Sequence, residues 1–173
     1  LAGGAGPDGY ADVISPATAS PLAAGDVLMM DTGAVKAGHF SDFDRNFAVG
    51  PPSDAARRAH GALFAATEAA LAAARPGMTA AELHGVIDRA LRAEGATPLT
   101  GRLGHGVGLS LTEWPSLTPE DPTPLRESMA LAIEPGVEVA PGRIMVAEEN
   151  VVLRAGGAEL LSPRAPDQLP VLR

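Results

Sequence analysis

Asp31, Asp42, His105, Glu134 and Glu148 are the residues of this 173-residue chain whose types and settings suit chemistry. Four carboxylates and one imidazole make an oxygen-rich donor set of the kind that holds divalent ions such as Mn, Fe, Co or Zn. Two such ions roughly 3.5–4 Å apart can clamp a scissile carbonyl and activate water, so the reaction implied is hydrolysis. Taken singly, each residue has a plainer reading. Acids beside a turn are commonly solvated, and a histidine among glycines is commonly a hydrogen-bonded structural residue. The set carries the chemistry, because carboxylates brought together repel unless a cation lies between them.

The elements that must position these groups can be read from local pattern. A strand-like run from Val27 turns through Lys36-Ala37-Gly38 and returns through His39 to Val49. A turn centred between Lys36 and Ala37 sets Asp31 directly opposite Asp42, on one face of an antiparallel hairpin. His105 lies in Gly104-His-Gly-Val-Gly108, where small neighbours allow close approach to an imidazole. The apolar run Met129 to Ile133 reads as a buried strand that delivers Glu134 before Pro135-Gly136. A second strand is expected over Met145 to Leu153, passing through Glu148 and Glu149. Charge inside such a strand is costly unless paired or metal-bound.

Around these elements the pattern is α+β. Residues 1–25 form a Gly-, Pro- and Ser-rich lead-in with one short strand expected near Ala11 to Ser15. Ser53 is placed to cap an Ala-rich helix running to Arg75, stopped by Pro76-Gly77. Thr79-Ala-Ala-Glu82 has the form of a capping box, followed by Leu83, Val86, Ile87, Ala90 and Leu91 on one helical face up to Gly95. The two helices are expected to cover a sheet on one side. A loop from Pro115 to Pro124, a hairpin at Ala155-Gly-Gly-Ala158 and a surface tail over 163–173 complete a single domain.

Composition narrows the function classes. A net charge of −8 argues against nucleic acid or an anionic membrane as partner. The chain has no cysteine, which excludes disulfides, thiolate metal sites and cysteine nucleophiles, and suits a cytoplasmic protein. No apolar run approaches the roughly 20 residues needed to span a bilayer, and Leu1 to Tyr10 lacks the basic start of a signal peptide.

Asp31-Thr-Gly33, Ser41-Asp42, His105-Gly-Val-Gly108, Ile133-Glu-Pro-Gly136 and Glu148 followed by an acid occur in an order that resembles the pita-bread metallopeptidase family of methionine aminopeptidases, Xaa-Pro aminopeptidases and prolidases. The resemblance runs from about Gly25 to Ser162. It implies a pseudo-twofold fold with a curved antiparallel sheet inside and helices outside. It also implies two divalent ions, manganese first and cobalt, iron or zinc as alternatives. Asp31 would hold one ion, His105 and Glu134 the other, with Asp42 and Glu148 bridging. The residue at Glu134 is the family's proton shuttle for the hydrolytic water. The implied activity is cleavage of a C–N bond in a small peptide, of the Xaa-Pro type. Two alternatives are a creatinase-like enzyme for a small non-peptide and an inactive binding protein of the same fold.

Three departures from the family pattern bear on substrate. The second histidine that family peptidases carry seven residues after the ligand histidine is Thr112 here, in Thr112-Glu-Trp-Pro115. A hydroxyl can donate a hydrogen bond but carries no positive charge, so stabilisation of the transition state would differ. No histidine occurs in the loop from Tyr10 to Ala24. Asp44 stands where the family has threonine, in Ser41-Asp-Phe-Asp-Arg45, and is read as a support behind the ligands in preference to a ligand. Thr112, Trp114 and Asp44 are the candidate substrate-side residues. His39, His60 and His84 are read as structural or surface groups. The family's catalytic domain normally begins with two further helices, so the chain is expected to be an N-terminally incomplete portion. Such a portion would expose helix-covering apolar surface, which makes a homodimer one expected assembly.

Overall fold

The computed structural model describes residues 2–14, 16 and 18–172. In chain order its elements are β1 (Ala2–Pro7), β2 (Asp26–Lys36), β3 (His39–Val49), α1 (Asp54–Ala73), α2 (Ala80–Ala93), β4 (Thr97–Pro98), β5 (Gly104–Gly106), β6 (Glu113–Ser116), β7 (Ala130–Ile133), β8 (Gly136–Ala140), β9 (Arg143–Val146), β10 (Glu149–Arg154), β11 (Gly157–Leu160) and β12 (Val171–Leu172). The strands form three sheets, ordered β1-β2-β3-β12, β11-β10-β7-β5-β6 and β4-β8-β9. The β3–β12 pairing is parallel.

Both helices begin where local chemistry places them. The Ser53 hydroxyl accepts the Ala56 N–H at 3.1 Å, a cap worth about 0.5–2 kcal/mol. Thr79 and Glu82 form a reciprocal capping box at the start of α2. The buried face of α1 is mostly alanine, at 56, 59, 62, 66 and 70, with Leu63 among them. These small side chains let α1 lie close against α2, β8, β9 and β11. Leu83, Ile87 and Leu91 from α2 join Leu131, Ile133, Val151 and Leu153 in one buried cluster. Each such side chain contributes roughly 1.5–3 kcal/mol on burial.

The start of the chain differs from the expected loop. Ala2–Pro7 pairs antiparallel with β2, while residues 11–14 carry no strand and Ser15 lies outside the described residues. The reason is steric. A Cβ on Gly3 would sit 2.7 Å from the Met29 carbonyl oxygen, and one on Gly4 would sit 2.8 Å from Tyr10 Cβ. Glycine here marks a strand packed too tightly for side chains. Leu1 and Ala17 of the lead-in and Arg173 of the tail also lie outside the described residues.

Two further strands differ from expectation. Met145 to Leu153 is not continuous, because β9 ends at Val146 and β10 begins at Glu149. Its partner breaks likewise, between β7 at Ile133 and β8 at Gly136. β7 pairs with β10, and β8 with β9. The result is one two-stranded ribbon that leaves the five-stranded sheet for the three-stranded one, with Glu134 and Glu148 at its bend. Strand β6 (Glu113–Ser116) runs into the first two residues of the Pro115 to Pro124 segment, read as a loop for its prolines. The tail is docked: Leu169 is buried, and Ala48 N–H donates to the Pro170 carbonyl at 2.7 Å.

Candidate metal centre

The bend in the ribbon releases two carboxylates from strand geometry toward β5. There Gly104, His105 and Gly106 lie between β6 and β7. Gly104 has φ +140, and a Cβ on it would collide with the Ala132 carbonyl oxygen; one on Gly106 would lie 2.5 Å from the Trp114 carbonyl oxygen. The glycines are therefore required for β5 to fit, and they hold the His105 ring almost fully buried.

His105 Nδ1 lies 2.8 Å from the Gly106 carbonyl oxygen. A carbonyl only accepts, so Nδ1 carries the proton and Nε2 presents its lone pair. Nε2 lies 3.7 Å from Asp42 Oδ2, 3.7 Å from Glu148 Oε1 and 3.9 Å from Glu134 Oε2. Burial lowers the histidine pKa, which favours this neutral form. Four acceptor atoms thus converge, and the Arg102 Nε stands 3.8 Å from Glu134 Oε2, beyond hydrogen-bond reach. Glu134 Oε2 and Glu148 Oε1 are buried and have no hydrogen-bond partner. One donor atom each from Asp42, His105 and Glu148 lies within 4.8 Å of the others.

The hairpin delivers its acids in a register two residues away from the expected one. β2 and β3 meet through the two-residue turn Ala37-Gly38, both with positive φ (51 and 81), so Lys36 pairs with His39. Asp31 therefore lies opposite Asp44, and Asp42 opposite Gly33. A two-residue shift preserves parity, so Asp31 and Asp42 still share a face. Glycine opposite Asp42 is needed, since a Cβ on Gly33 would collide with the Ser41 carbonyl oxygen.

The charges act on one another. Burial pushes Glu148 up to about 11, with Glu134, Asp42, Asp44 and Asp31 adding to the rise. Burial likewise pushes Glu134 up to about 7, against the opposing pull of Arg102. Asp31 and Asp42 are also raised by burial, Asp31 further by Asp42. Asp44 is fully enclosed and raised well above the carboxylate range by burial and then by Glu134. Such a cluster fits divalent cations, which would satisfy the free oxygens and the Nε2 lone pair together.

A cavity of about 640 Å³ opens onto this cluster and is lined by Asp31, Asp42, His105, Glu134 and Glu148. Thr112 and Arg102 also line it. Two of the candidate substrate-side residues do not. Trp114 is 71% exposed and its indole N–H donates to Thr123 Oγ1 at 2.8 Å, which turns it away. Asp44 is buried behind the wall, where its Oδ1 accepts the Glu148 N–H at 3.0 Å. His39 is on the other face of the hairpin, and His60 is held by the Pro166 carbonyl. Sequence reasoning missed Asn150, Asn46, Tyr10 and Arg102. Two asparagines in otherwise strand-like runs were the available signal for the first pair.

The model of metallopeptidase family M24 matches residues 5–155, a span containing all five candidate ligands. The chain belongs to this family. It is 34% identical over 139 residues to the Xaa-Pro dipeptidase of Pyrococcus furiosus, covering 80% of this chain and 40% of that protein. The solved dipeptidase PepE from Mycobacterium ulcerans superposes with a TM-score of 0.89 at 35% identity, over 98% of this chain and 46% of that one. An X-Pro aminopeptidase from Thermotoga maritima superposes with a TM-score of 0.88 at 30% identity, over 99% and 48%. The chain thus spans less than half the length of these M24 relatives, and it has the pita-bread fold that the motifs imply. No helix of the described residues is long and apolar enough to cross a membrane.

Proposed function

We propose that this chain forms the ion-holding portion of a dinuclear metal-dependent hydrolase that cleaves the C–N bond of a small Xaa-Pro-type peptide. The supporting observation is the convergence of the His105 Nε2 lone pair with three carboxylate oxygens, two of them buried and unpartnered. In this reading Asp31 would hold one ion, His105 and Glu134 would hold the other, and Asp42 and Glu148 would serve both. The ions would polarise the scissile carbonyl and make water nucleophilic near neutral pH. Glu134 takes the proton that the attacking water releases and passes it to the leaving amine. Thr112, on the cavity wall, donates to the carbonyl oxygen as charge develops there. Manganese is the proposed ion, since the site is oxygen-rich. The proposal includes a cytoplasmic setting and a homodimer, which fractionation and size-exclusion chromatography check.

Calorimetric titration with Mn(II), together with a hydrolysis assay on Xaa-Pro dipeptides, tests the reading. Binding of two equivalents with metal-dependent turnover is expected. Failure to take up Mn, Co, Fe or Zn overturns it. Thr112 in place of histidine favours a second reading, a small amide or amidine as substrate. Turnover of such a compound with no cleavage of any peptide would select it.

A further inference from the structure

Three buried side chains cross between β3 and residues 146–150 at regular two-residue steps. Asn46 Nδ2 donates to the Val146 carbonyl at 2.6 Å. Asp44 Oδ1 accepts the Glu148 N–H at 3.0 Å. Asn150 accepts the Asp42 N–H on Oδ1 at 2.9 Å and donates from Nδ2 to the Asp42 carbonyl. Each step toward the start of β3 is matched by a step toward the end of the other segment. That is the order of an antiparallel ladder, yet β3 pairs with β2 and β12, and β10 with β7 and β11. Side chains make these rungs in place of the backbone.

The ladder is closed at one end and reinforced in the middle. Val146 N–H donates to the Tyr10 hydroxyl at 2.6 Å, and that hydroxyl donates to Asn46 Oδ1 at 3.3 Å. Arg45 Nη1 donates to the Glu148 carbonyl at 3.1 Å. Both polar backbone atoms of Glu148 are therefore held by neighbouring residues of β3. The two rungs nearest the cavity carry Asp42 and Glu148, whose carboxylates each approach His105 Nε2 at 3.7 Å.

We propose that Asp44 and Asn150 are positioning residues that set the register between β3 and residues 146–150, and thereby the gap between the carboxylates of Asp42 and Glu148. The inference rests on the two-ion reading above. A bridging pair tolerates misplacement of only about 0.5 Å, and Asp42 lies on β3 while Glu148 lies at the bend between β9 and β10, so their spacing needs a tie that no strand pairing supplies. Asp44 meets that need with a fully buried acceptor, placed where the family has threonine. Asn150 meets it with an amide that engages both backbone atoms of Asp42. Loss of such supporting contacts typically weakens metal binding roughly 10–100-fold.

The test is calorimetric titration of the full chain with Mn(II), paired with thermal unfolding and electron paramagnetic resonance of the loaded protein. Asp44→Ala, Asn150→Ala and the milder Asn150→Asp should each weaken binding about 10–100-fold, and the resonance of coupled ions should give way to that of isolated ones. Asp44→Asn keeps the Oδ1 acceptor and should bind within a few-fold of wild type. Arg164→Ala, away from the cavity, should lower the unfolding temperature while leaving affinity and coupling unchanged. Equal affinity and coupling in wild type and Asn150→Asp would overturn the positioning role. So would an affinity loss in Arg164→Ala as large as in the ladder variants. A wild-type chain that binds no ion would instead overturn the two-ion reading itself, and the positioning role with it.

Discussion

Glu148 and Glu149 are adjacent, equally enclosed at 5% and 1% exposure, and opposite in circumstance. Glu149 is compensated by the chain itself. Its carboxylate meets Arg45 and Arg164, each at 3.0 Å, and the Ala165 N–H at 2.8 Å. Glu148 points the other way, toward Asp42, Glu134 and His105, and its Oε1 has no partner. Burying a carboxylate costs the same solvation on either side. The difference lies in the counter-charge. Where the chain provides arginine, the acid staples the tail to the sheets. Where it provides more acid and the lone pair of a neutral imidazole, the site suits a cation from outside.

The first way to break the comparison is through activity. Glu134→Gln should lower hydrolysis about 10²–10⁴-fold with the fold intact, read from kcat/KM beside a circular dichroism spectrum. Full activity in this variant would remove the proton role. Next comes stability, where the two neighbours should differ in sign. Glu149→Gln leaves two partly buried arginines short of a partner and should cost about 3–5 kcal/mol in denaturant unfolding. Glu148→Gln removes a carboxylate that the metal-free fold resists ionising, so it should stabilise the metal-free chain at neutral pH. Equal losses in both variants would show that Glu148 is compensated as well.

The pH dependence sharpens the same contrast. Glu134 and Glu148 have folded-state pKa values raised to about 7 and about 11, from an ordinary 4.5. Below about pH 4.5 folded and unfolded chains both hold these protons. Above it the unfolded chain releases them first, so the folded state binds more protons and stability falls as pH rises. The Glu134 share is complete near pH 7, and the Glu148 share continues toward 11. The metal-free chain should therefore unfold at lower temperature at pH 8 than at pH 5.5. Mn(II) at 100 times its dissociation constant should restore about 2.7 kcal/mol at pH 8. A pH-independent unfolding temperature would contradict the crowding of charge.

How far these features were legible in the sequence follows from their range. The helix caps at Ser53 and Thr79 are local, and the structure has both. The five candidate ligands are ordered by motif, and the structure brings them to one cavity. Their register was less legible, because one residue in the turn, Ala37 taking positive φ beside Gly38, decides whether Asp31 faces Asp42 or Asp44. The strand at Ala2–Pro7 was hidden because glycine signals loops, and only the distance to Met29 reveals packing. The break at Glu148 was hidden because apolar residues continue on both sides, whereas Pro135-Gly136 marked the end of the strand at Ile133. The Asn150, Asp44 and Asn46 rungs join residues about 100 positions apart, which no local pattern displays.

The smallest expected effect isolates burial from geometry within one residue. Arg164 pairs with two glutamates at nearly equal distance: Nε to Glu68 at 2.8 Å and Nη1 to Glu149 at 3.0 Å. Its guanidinium also stacks 4.3 Å above the Phe64 ring centroid, so its position does not depend on either acid alone. Glu68 is 51% exposed and Glu149 1%. Water and salt screen the first pair and not the second, so a double-mutant cycle should give about 0.2–1 kcal/mol for Arg164–Glu68 and several times that for Arg164–Glu149. Raising the salt concentration should erase most of the first coupling and little of the second. Similar couplings for the two pairs would mean that distance, and not enclosure, sets the strength of the Glu149 cluster. The sign difference expected between Glu148 and Glu149 would then need another cause.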